Sequence, residues 1–428
     1  MKYLNPFYYA FSLYDFVRER KYWHLVKSIP TKAQKTKAAS VRCKDKIRVA
    51  FIVYDITKWR SENLYRHMLS HPRFEPVIVL VAHYPVHADY VETMRIFDNT
   101  VEAIKLKGYK YVTGKRNIDI SSLVGPDIVF YGEAYEGIFD STYAMNSERE
   151  PLACYVPYSM HNTKYVSINN LRPLNLAWMT FVENHQCYED LKALLDNRAS
   201  NIIVTGLPLE DDFIAPDEIH DIWKEQSGNK KRIIWAPSHT IKGVTNVYYQ
   251  STFVEIADDM LALAEKFSDS VQWAFKPHPS LKAKLIAVWG EKKTNEYYEK
   301  WANMNNGQLE EGQFNDLFLT SDAMIHDCQS FSVEYLLTGK PVMYLENGET
   351  TSDMLNTQTK RAKEVHYQGS KICDIEKFII EIVLGDNDYM KQCRLDYRKE
   401  YLTPPHGKSA AQNIINAILA EEEFSYLM

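Results

Sequence analysis

The stretch IRVAFIVY, residues 47–54, is a nearly continuous apolar run with the length of one strand. Such a run is typical of a strand that is buried on both faces of a parallel sheet. A polar, helix-forming segment at 61–70 follows it, and a second apolar run, PVIVLVA at 76–82, comes next. Strand, helix and strand in this order predict the βαβ unit of a parallel α/β fold.

The same alternation continues toward the C-terminus and is interrupted by a polar break at 226–231. The apolar runs predict strands at 127–131, 152–158, 176–182 and 201–205 before the break, and at 232–236, 271–275, 323–325 and 341–345 after it. Helical periodicity predicts helices at 89–106, 252–267, 330–337, 374–384, 389–401 and 408–422. A chain of 428 residues is longer than one hydrophobic core usually supports, so two domains are expected.

The predicted architecture therefore has four parts. An N-terminal segment at 1–45 precedes a first Rossmann-like domain at 46–215. A second Rossmann-like domain follows at 216–405, and a C-terminal helix within 406–428 is expected to cross back to the first domain. The predicted fold class is α/β, with a parallel sheet in each domain.

The N-terminal segment combines aromatic and basic side chains. Leu4, Phe7, Phe11 and Tyr14 share one face of a predicted helix, so the segment is expected to be amphipathic. Aromatic rings beside Lys and Arg suit an anionic lipid surface. A helix that packs on the body, followed by a solvated basic linker, has the same pattern, and the sequence leaves both interpretations open.

The charge is divided unevenly along the chain. Residues 1–50 contain twelve Lys and Arg against three Asp and Glu, which leaves 38 basic and 53 acidic residues in the rest. An acidic body argues against nucleic acid as a partner. Six scattered cysteines without a CxxC pair indicate a reducing, cytoplasmic setting, and no apolar run is long enough to span a bilayer.

Ligands of open parallel sheets bind beyond the carboxyl ends of the strands, so polar residues directly after apolar runs are the candidates for a site. The first group is WAPSHT at 235–240, where Pro237, Ser238 and His239 follow a predicted strand. Hydroxyl and imidazole groups there can donate hydrogen bonds to phosphate or polyol oxygens. A turn in which Ser238 caps a helix is the structural alternative.

A second group is KPHP at 276–279. Two prolines fix the backbone on either side of His278, and a rigid loop can hold an imidazole toward a ligand. Lys276 adds a positive charge. We therefore interpret both side chains as phosphate ligands, with a purely structural histidine as the alternative.

A third group, HDCQSFSVE at 326–334, follows another predicted strand and opens a helix. Backbone N–H groups at a helix start favour a phosphate, and a carboxylate one turn later can accept hydrogen bonds from two ribose hydroxyls. A helix cap with Glu334 on a solvated face is the alternative. The candidate binding residues in this group are Asp327, Gln329, Ser330, Ser332 and Glu334.

The fourth group lies in the first half of the chain, in YSMHNTK at 158–164. His161 follows an apolar run, and a histidine placed there can take a proton from an acceptor hydroxyl, since histidines ordinarily titrate near neutral pH. A histidine that is hydrogen-bonded in a loop is the structural alternative.

At these four places the chain resembles the CDP-glycerol glycerophosphotransferase family, which includes teichoic-acid polymerases and primases. The resemblance covers about residues 125–350. It implies a GT-B-like fold, in which two Rossmann-like domains face each other and the C-terminal domain holds the donor nucleotide. It also implies that residues 235–238 match an aromatic-Ala-Pro-Thr element of the family.

The resemblance assigns roles to individual residues. His278 matches the histidine of an Arg/Lys-Pro-His-Pro element that contacts the donor phosphates. Asp327, Ser330 and Glu334 fall on an element that embraces pyrophosphate and ribose. His161 takes the place of the histidine proposed as the base, so His161 and His278 are the expected catalytic residues.

Several positions depart from the family pattern. Leu209 stands where the family has arginine, Gln329 replaces a serine, and Thr240 stands where arginine is usual. Met160 and Asn162 replace the tryptophan and glycine around the expected base. Fewer cations near the phosphates leave open a donor other than CDP-glycerol.

The resemblance implies a transferase that moves a polyol phosphate from a CDP-linked donor to a hydroxyl of a cell-envelope or capsular polysaccharide precursor. The expected partners are a nucleotide-activated donor, a lipid-linked or polysaccharide acceptor, and the inner face of the cytoplasmic membrane. No metal or other cofactor is expected, and DND at 386–388 is interpreted as a helix-start signal. The alternatives are a metal-independent GT-B glycosyltransferase that uses a nucleotide sugar, and a degenerate homologue that acts as a scaffold.

Overall fold

The computed structural model describes residues 19–82, 90–115, 117–135, 142–145, 151–244, 249–312, 314–348 and 352–420. These residues form two compact units. With the gaps just given, the first unit comprises residues up to 159, 164–209 and those from 404 onward. The second unit comprises 160–163 and 210–403, so the chain passes into it after Leu209 and returns at Pro404.

Within the described residues, a parallel sheet of seven strands lies in the first unit, in the order β3-β2-β1-β4-β5-β6-β7. Strand β1 pairs with β2 on one side and with β4 on the other. Six of its seven side chains are buried, as expected for a strand covered on both faces. The strand bounds are β1 Ile47–Val53, β2 Phe74–Leu80, β3 Tyr111–Thr113, β4 Ile128–Tyr131, β5 Leu152–Tyr155, β6 Met179–Val182 and β7 Ile202–Val204.

Helices connect these strands, as the alternation of the sequence predicts. The strand predicted at 176–182 begins only at Met179, because residues 172–176 form a short helix with proline at its start. The helices in this part of the chain are α1 Lys32–Arg42, α2 Glu62–Ser70, α3 Tyr90–Leu106, α4 Ile120–Leu123, α5 Val166–Asn169, α6 Arg172–Leu176, α7 His185–Leu194 and α8 Pro208–Ile214.

The second unit contains a parallel sheet of six described strands in the order β10-β9-β8-β11-β12-β13. This order repeats the beginning of the first sheet, in which the first strand lies between the second and the fourth. The strand bounds are β8 Lys231–Ala236, β9 Val271–Phe275, β10 Gly307–Leu309, β11 Ala323–His326, β12 Val342–Leu345 and β13 Tyr367–Gly369.

The remaining helices surround the second sheet, except the last, which belongs to the first unit. They are α9 Phe253–Lys266, α10 Leu281–Trp289, α11 Glu291–Asn303, α12 Asn315–Thr320, α13 Phe331–Glu334, α14 Thr357–Glu364, α15 Ile372–Lys377, α16 Lys391–Tyr401 and α17 Ala410–Leu419. A π-helical segment, Phe378–Leu384, continues α15. Short 3₁₀ segments lie at Ile56–Lys58, Tyr335–Thr338, Ser352–Met354 and Pro405–Gly407.

Side-chain hydrogen bonds hold helix α17 in the first unit. The side-chain amide of Asn413 donates to the carbonyl of Thr205 at 3.1 Å. Arg42, at the end of α1, donates through Nε to the carbonyl of Ile418 at 2.7 Å. A guanidinium that meets the carbonyls at the end of α17 also complements the helix dipole.

The predicted α/β class, with a Rossmann-like parallel sheet in each half, is confirmed. Helical residues at 19–26 and helix α1 precede β1, as expected for the N-terminal segment. The predicted aromatic face formed by Leu4, Phe7, Phe11 and Tyr14 lies outside the described residues. Among the described helices, none has the length and hydrophobicity required to cross a bilayer.

Aromatic rings fill the core beneath the second sheet. The Trp235 ring stacks on Phe253 with centroids 5.3 Å apart, and it also contacts Phe275 and Trp301. All four side chains are at most 1% exposed. Burial of each contributes on the order of 2–3 kcal/mol and fixes the end of β8, from which a predicted site loop continues.

The DND motif has a structural role at one of its aspartates. The guanidinium of Arg394 is fully buried and pairs with the Asp388 carboxylate, which also accepts a hydrogen bond from the Tyr367 hydroxyl at 2.9 Å. Asp386, by contrast, is exposed. Asp388 therefore joins the strand β13 to α16.

We expect Arg394→Met to destabilise the second unit by about 3 kcal/mol, because it leaves a largely buried carboxylate without its cation. Urea denaturation measures the change. Arg361→Met is the matched control, since Arg361 forms an exposed pair with Glu364 and exposed pairs contribute at most about 1 kcal/mol. Equal destabilisation by the two variants would contradict the structural role of Arg394.

Candidate functional site

The strand order of the second unit places three of the predicted loops side by side. Strand β8 lies between β9 and β11, and the chain adds strands to one side of β8 before it moves to the other side at β11. The carboxyl edge at such a reversal is where open α/β sheets bind ligands. The three loops carry Pro237, Ser238 and His239 after β8, Lys276 and His278 after β9, and Asp327, Gln329, Ser330, Ser332 and Glu334 after β11.

Asp327 ties two of these loops to a helix. One carboxylate oxygen accepts the backbone N–H of Ser238. The other accepts the backbone N–H of Thr252 at 2.6 Å and its hydroxyl at 3.0 Å. The side chain is 1% exposed, so its oxygens are occupied inside the protein. In this structure Asp327 holds the loop after β8 and the start of α9, and its predicted contact with phosphate stays a prediction.

Burial and hydrogen bonding have opposite effects on the pKa of Asp327. Burial raises the pKa of this carboxyl group to about 6, while the hydrogen bonds from Thr252 and Ser238 lower it. The ionised form is the one that accepts all three hydrogen bonds. The ionised form, and with it the complete clamp, therefore predominates at neutral pH.

Buried hydroxyl groups continue the clamp behind the loop. The Ser238 hydroxyl lies 3.2 Å from the hydroxyl of Thr240 and accepts from the amide of Gln250 at 3.3 Å. The Ser251 hydroxyl donates to the Ser238 carbonyl at 3.0 Å. Ser238 is 2% exposed. Its side chain therefore fixes the loop in place, and the helix-capping alternative is not the arrangement observed.

Two histidine rings join the loops after β8 and β9. The rings of His239 and His278 stack with centroids 3.9 Å apart and an interplanar angle of 30°. The backbone N–H of His278 also donates to the carbonyl of Pro237 at 3.1 Å. His278 Nδ1 accepts the backbone N–H of Ser280 at 3.1 Å. In the neutral ring this places the proton on Nε2.

The two rings of this pair carry different chemistry. Burial, and then the positive charge of Lys284, lower the pKa of His239 to about 4. His239 is therefore neutral near pH 7 and supplies no charge to a phosphate.

Two lysines lie near the histidine pair. Lys276 is almost buried and donates through Nζ to the carbonyl of Gly312 at 2.8 Å. Burial also lowers the pKa of Lys284, on helix α10 below the loop.

The turn after β11 is more compact than the sequence predicts. Helix α13 has four residues and continues as a 3₁₀ turn, where a helix at 330–337 was expected. Ser332 is fully buried and donates its hydroxyl to the carbonyl of Cys328 at 3.1 Å. His326 Nδ1 lies 3.0 Å from the carbonyl oxygen of Cys328 and 3.2 Å from its backbone nitrogen. A single helical turn has a small dipole, so side chains must supply most of the attraction for a phosphate.

The other residues of this turn differ in exposure. Ser330 is partly exposed, whereas Gln329 and Glu334 are 8% and 3% exposed. Glu334 is therefore not on the solvated face that the structural alternative requires. Its predicted contact with ribose hydroxyls stays a prediction.

The segment that contains His161 belongs to the second unit, although the strand before it lies in the first. The amide of Asn356 donates to the carbonyl of His161 at 2.9 Å, and Thr163 forms an antiparallel bridge with Leu355. The amide of Asn162 lies 3.4 Å from the Ser330 hydroxyl. The predicted bounds put His161 in the first domain, at 46–215, but these contacts place its segment in the second unit, beside the turn after β11.

Sequence reasoning missed Thr252 and Gln250, which complete the loop scaffold, and Asn356, which holds the His161 segment. The sequence does mark Thr252 and Gln250, because QST at 250–252 is a polar triplet at the start of the helix predicted at 252–267. No sequence signal connects residue 356 with residue 161, because the contact spans almost two hundred positions.

We expect Asp327→Asn to lower the free energy of unfolding by about 1–3 kcal/mol. Asparagine replaces one of the two carboxylate oxygens by an NH₂ group, which cannot accept a hydrogen bond, so the backbone N–H of either Ser238 or Thr252 loses its acceptor. Urea denaturation checks this value. Asp258→Asn is the control, since Asp258 lies on the exposed face of α9. Unchanged stability of Asp327→Asn would show that the clamp contributes little.

The lowered pKa of His239 predicts a pH effect on stability. The unfolded chain protonates this ring below about pH 6.5, whereas the folded protein resists until about pH 4, so the ring destabilises the fold as pH falls through this interval. His239→Gln should remove that contribution. We expect the variant to lose less stability than the wild type between pH 7 and pH 4.5 in urea denaturation. Parallel pH profiles of the two proteins would be the contrary result.

One family of known proteins matches the part of the chain that contains these loops. Residues 167–353 match the family described as CDP-glycerol:poly(glycerophosphate) glycerophosphotransferase. This range contains all three loops at the carboxyl edge of the second sheet. A comparison with curated proteins finds no match.

Solved structures share the fold. The wall teichoic acid polymerase TagF has a TM-score of 0.56 at 12% identity, over 97% of each chain. S. aureus MnaA, in a co-structure with UDP, has a TM-score of 0.54 at 14% identity, over 89% of this chain and 98% of that chain. UDP-GlcNAc 2-epimerase from Neisseria meningitidis, bound to UDP-GlcNAc, has a TM-score of 0.53 at 15% identity, over 88% and 100%.

At these identities the structural likeness shows the fold, which is that of GT-B-like enzymes with two Rossmann-like halves. The family match carries the functional class. Over residues 167–353, the chain matches the CDP-glycerol:poly(glycerophosphate) glycerophosphotransferase family.

Proposed function

We propose that the protein transfers a polyol phosphate, such as glycerophosphate, from a CDP-linked donor to a hydroxyl of a cell-envelope or capsular polysaccharide precursor. The observation that carries the proposal is the convergence of the loops after β8, β9 and β11, held by the Asp327 clamp and the stacked pair His239 and His278. The family match over these loops supports a CDP-glycerol-type donor.

His278 is the proposed ligand of the donor diphosphate. The hydrogen bond that Nδ1 accepts from Ser280 orients the ring, and Nε2–H is the proposed donor to a phosphate oxygen. Lys276, Gln329 and Ser330 are the proposed further donors. Pro237, Ser238, Asp327 and Ser332 support these groups from inside the loops. Glu334 is the proposed acceptor for the ribose hydroxyls.

In the proposed reaction, the acceptor hydroxyl oxygen attacks the phosphorus that carries the polyol. The bond between this phosphorus and the bridging oxygen breaks, CMP leaves, and a phosphodiester forms. His161 is the proposed base that takes the hydroxyl proton, and its segment lies beside Ser330. His278 stabilises the negative charge that moves onto the departing phosphate.

The proposed scheme requires no metal ion, because imidazole and hydrogen-bond donors of the loops carry the charge stabilisation. Turnover should therefore persist in EDTA. A requirement for added Mn²⁺ or Mg²⁺ would contradict this part of the scheme.

The proposed setting is the inner face of the cytoplasmic membrane, with a lipid-linked or polysaccharide acceptor. The basic charge of residues 1–50 supports attraction to anionic lipid, while the acidic remainder does not favour nucleic acid. Teichoic-acid synthesis is the process to which the polymerase TagF, named above, belongs by its description.

We expect His278→Ala to slow CMP release from CDP-glycerol by about 10²-fold and to weaken CDP-glycerol binding at least tenfold, because the variant loses an oriented donor to the diphosphate. Product analysis and calorimetry measure the two effects. His220→Ala, at an exposed histidine of the same unit, is the matched control. Wild-type rates in His278→Ala would contradict the proposed diphosphate site.

A donor panel separates this proposal from the two alternatives. CMP release from CDP-glycerol, together with a new phosphodiester, supports it. A new glycosidic bond formed from a UDP- or CMP-sugar would identify a glycosyltransferase instead. A protein that binds none of these donors would be the scaffold.

A further inference from the structure

A second group of polar side chains lies at the equivalent position of the first sheet. Strand β1 lies between β2 and β4, and strand addition changes side between β1 and β4, as it does between β8 and β11. Tyr54 follows β1 directly, and Glu133 comes two residues after β4. The rule that places the donor loops at one reversal thus places these residues at the other.

Glu133 is a buried carboxylate whose two oxygens are used differently. Its Oε1 accepts the backbone N–H groups of Ala134 at 3.0 Å and Tyr135 at 3.4 Å. From the described residues, its Oε2 receives one long hydrogen bond, from the Tyr54 hydroxyl at 3.4 Å. The side chain is 4% exposed. Oε2 therefore retains the capacity to accept a shorter hydrogen bond.

A cation and aromatic rings surround this carboxylate. The ammonium group of Lys58 lies 5.2 Å from the ring centre of Tyr54 and 5.5 Å from that of Tyr158. Burial raises the pKa of Glu133, and the charge of Lys58 partly offsets this effect. A partly desolvated carboxylate beside a cation is an arrangement frequent at binding sites.

A small cavity lies beside the residues that surround Glu133, and Glu133 itself is not part of its lining. Its volume is about 20 Å³, and its lining includes Tyr54, Lys58, Arg60, Gly132 and Tyr158. A volume of this size accommodates roughly one water-sized group, such as a single hydroxyl. Two cations, Lys58 and Arg60, and one carboxylate, Asp55, lie at its wall, so the cations outnumber the anion beside a phosphate attached to the same molecule.

We propose that Tyr54, Lys58, Glu133 and Tyr158 form the binding site for the hydroxyl end of the acceptor, a polyol phosphate chain. Glu133 Oε2 accepts the hydrogen bond of the terminal hydroxyl, and Lys58 attracts the adjacent phosphodiester. The tyrosine rings cover the carbon backbone of the polyol. This assignment rests on the proposed transferase function, and it concerns the first unit, whereas the donor loops lie in the second.

Binding of a synthetic glycerol phosphate trimer tests the proposal, with calorimetry on the full chain and no nucleotide present. In Glu133→Gln, the amide oxygen can replace Oε1 and keep both backbone hydrogen bonds, while the NH₂ group cannot accept at the Oε2 position. We expect the Kd for the trimer to rise at least tenfold in Glu133→Gln and in Lys58→Met. Glu75→Gln, an exposed residue of β2, is the control and should bind as the wild type does.

The proposal fails if the wild type does not bind the trimer, or if both variants bind it as tightly as the wild type. Lys58 is only partly buried, so Lys58→Met decides the outcome if Glu133→Gln does not fold. The Kd for CDP-glycerol, measured on the same samples, should be unchanged in the variants. Absence of CDP-glycerol binding in the wild type would refute the donor assignment and leave the trimer result to decide the acceptor site.

Discussion

The candidate donor site depends on the hydrogen bonds that one buried carboxylate accepts. Asp327 follows β11, yet its two oxygens hold the loop after β8 and the first residue of α9. A buried ionised group is costly unless it is fully hydrogen-bonded, and three donors meet this requirement. Because the loop after β8 is fixed, His239 can stack on His278, and the loop after β9 is positioned in turn.

The two halves apply the same topological rule to different chemistry. In each sheet, the first strand lies between the second and the fourth, which separates the helices that follow and opens a crevice at the carboxyl edge. In the second unit, imidazole and backbone donors line this edge and suit an anionic diphosphate. In the first unit, Glu133, Lys58 and tyrosines line it and suit a hydroxylated ligand. The proposed division of donor and acceptor between the halves rests on these side chains.

Much of the fold could be predicted, because continuous apolar runs such as 47–54 require burial on both faces. The three donor loops could be located for a related reason, since polar residues at strand ends are the ones that a sheet exposes. Individual roles could not be predicted. Ser332 and Asp327 look like surface ligands in the sequence, but both lie inside the protein. Glu133 was overlooked because YGEAYEG has no recognisable spacing or punctuation.

The sequence by itself determined the α/β class, the alternation of strands and helices, and the resemblance to the glycerophosphotransferase family, because these depend on local periodicity and short motifs. The tertiary structure alone decided which carboxylate oxygens already accept hydrogen bonds inside the protein, which unit holds the His161 segment, and which loops are neighbours. Those properties depend on contacts between residues far apart in the chain, such as Asn356 with His161 and Asp327 with Ser238. The order of the strands in each sheet brings such residues together, and this order cannot be read from a local sequence pattern.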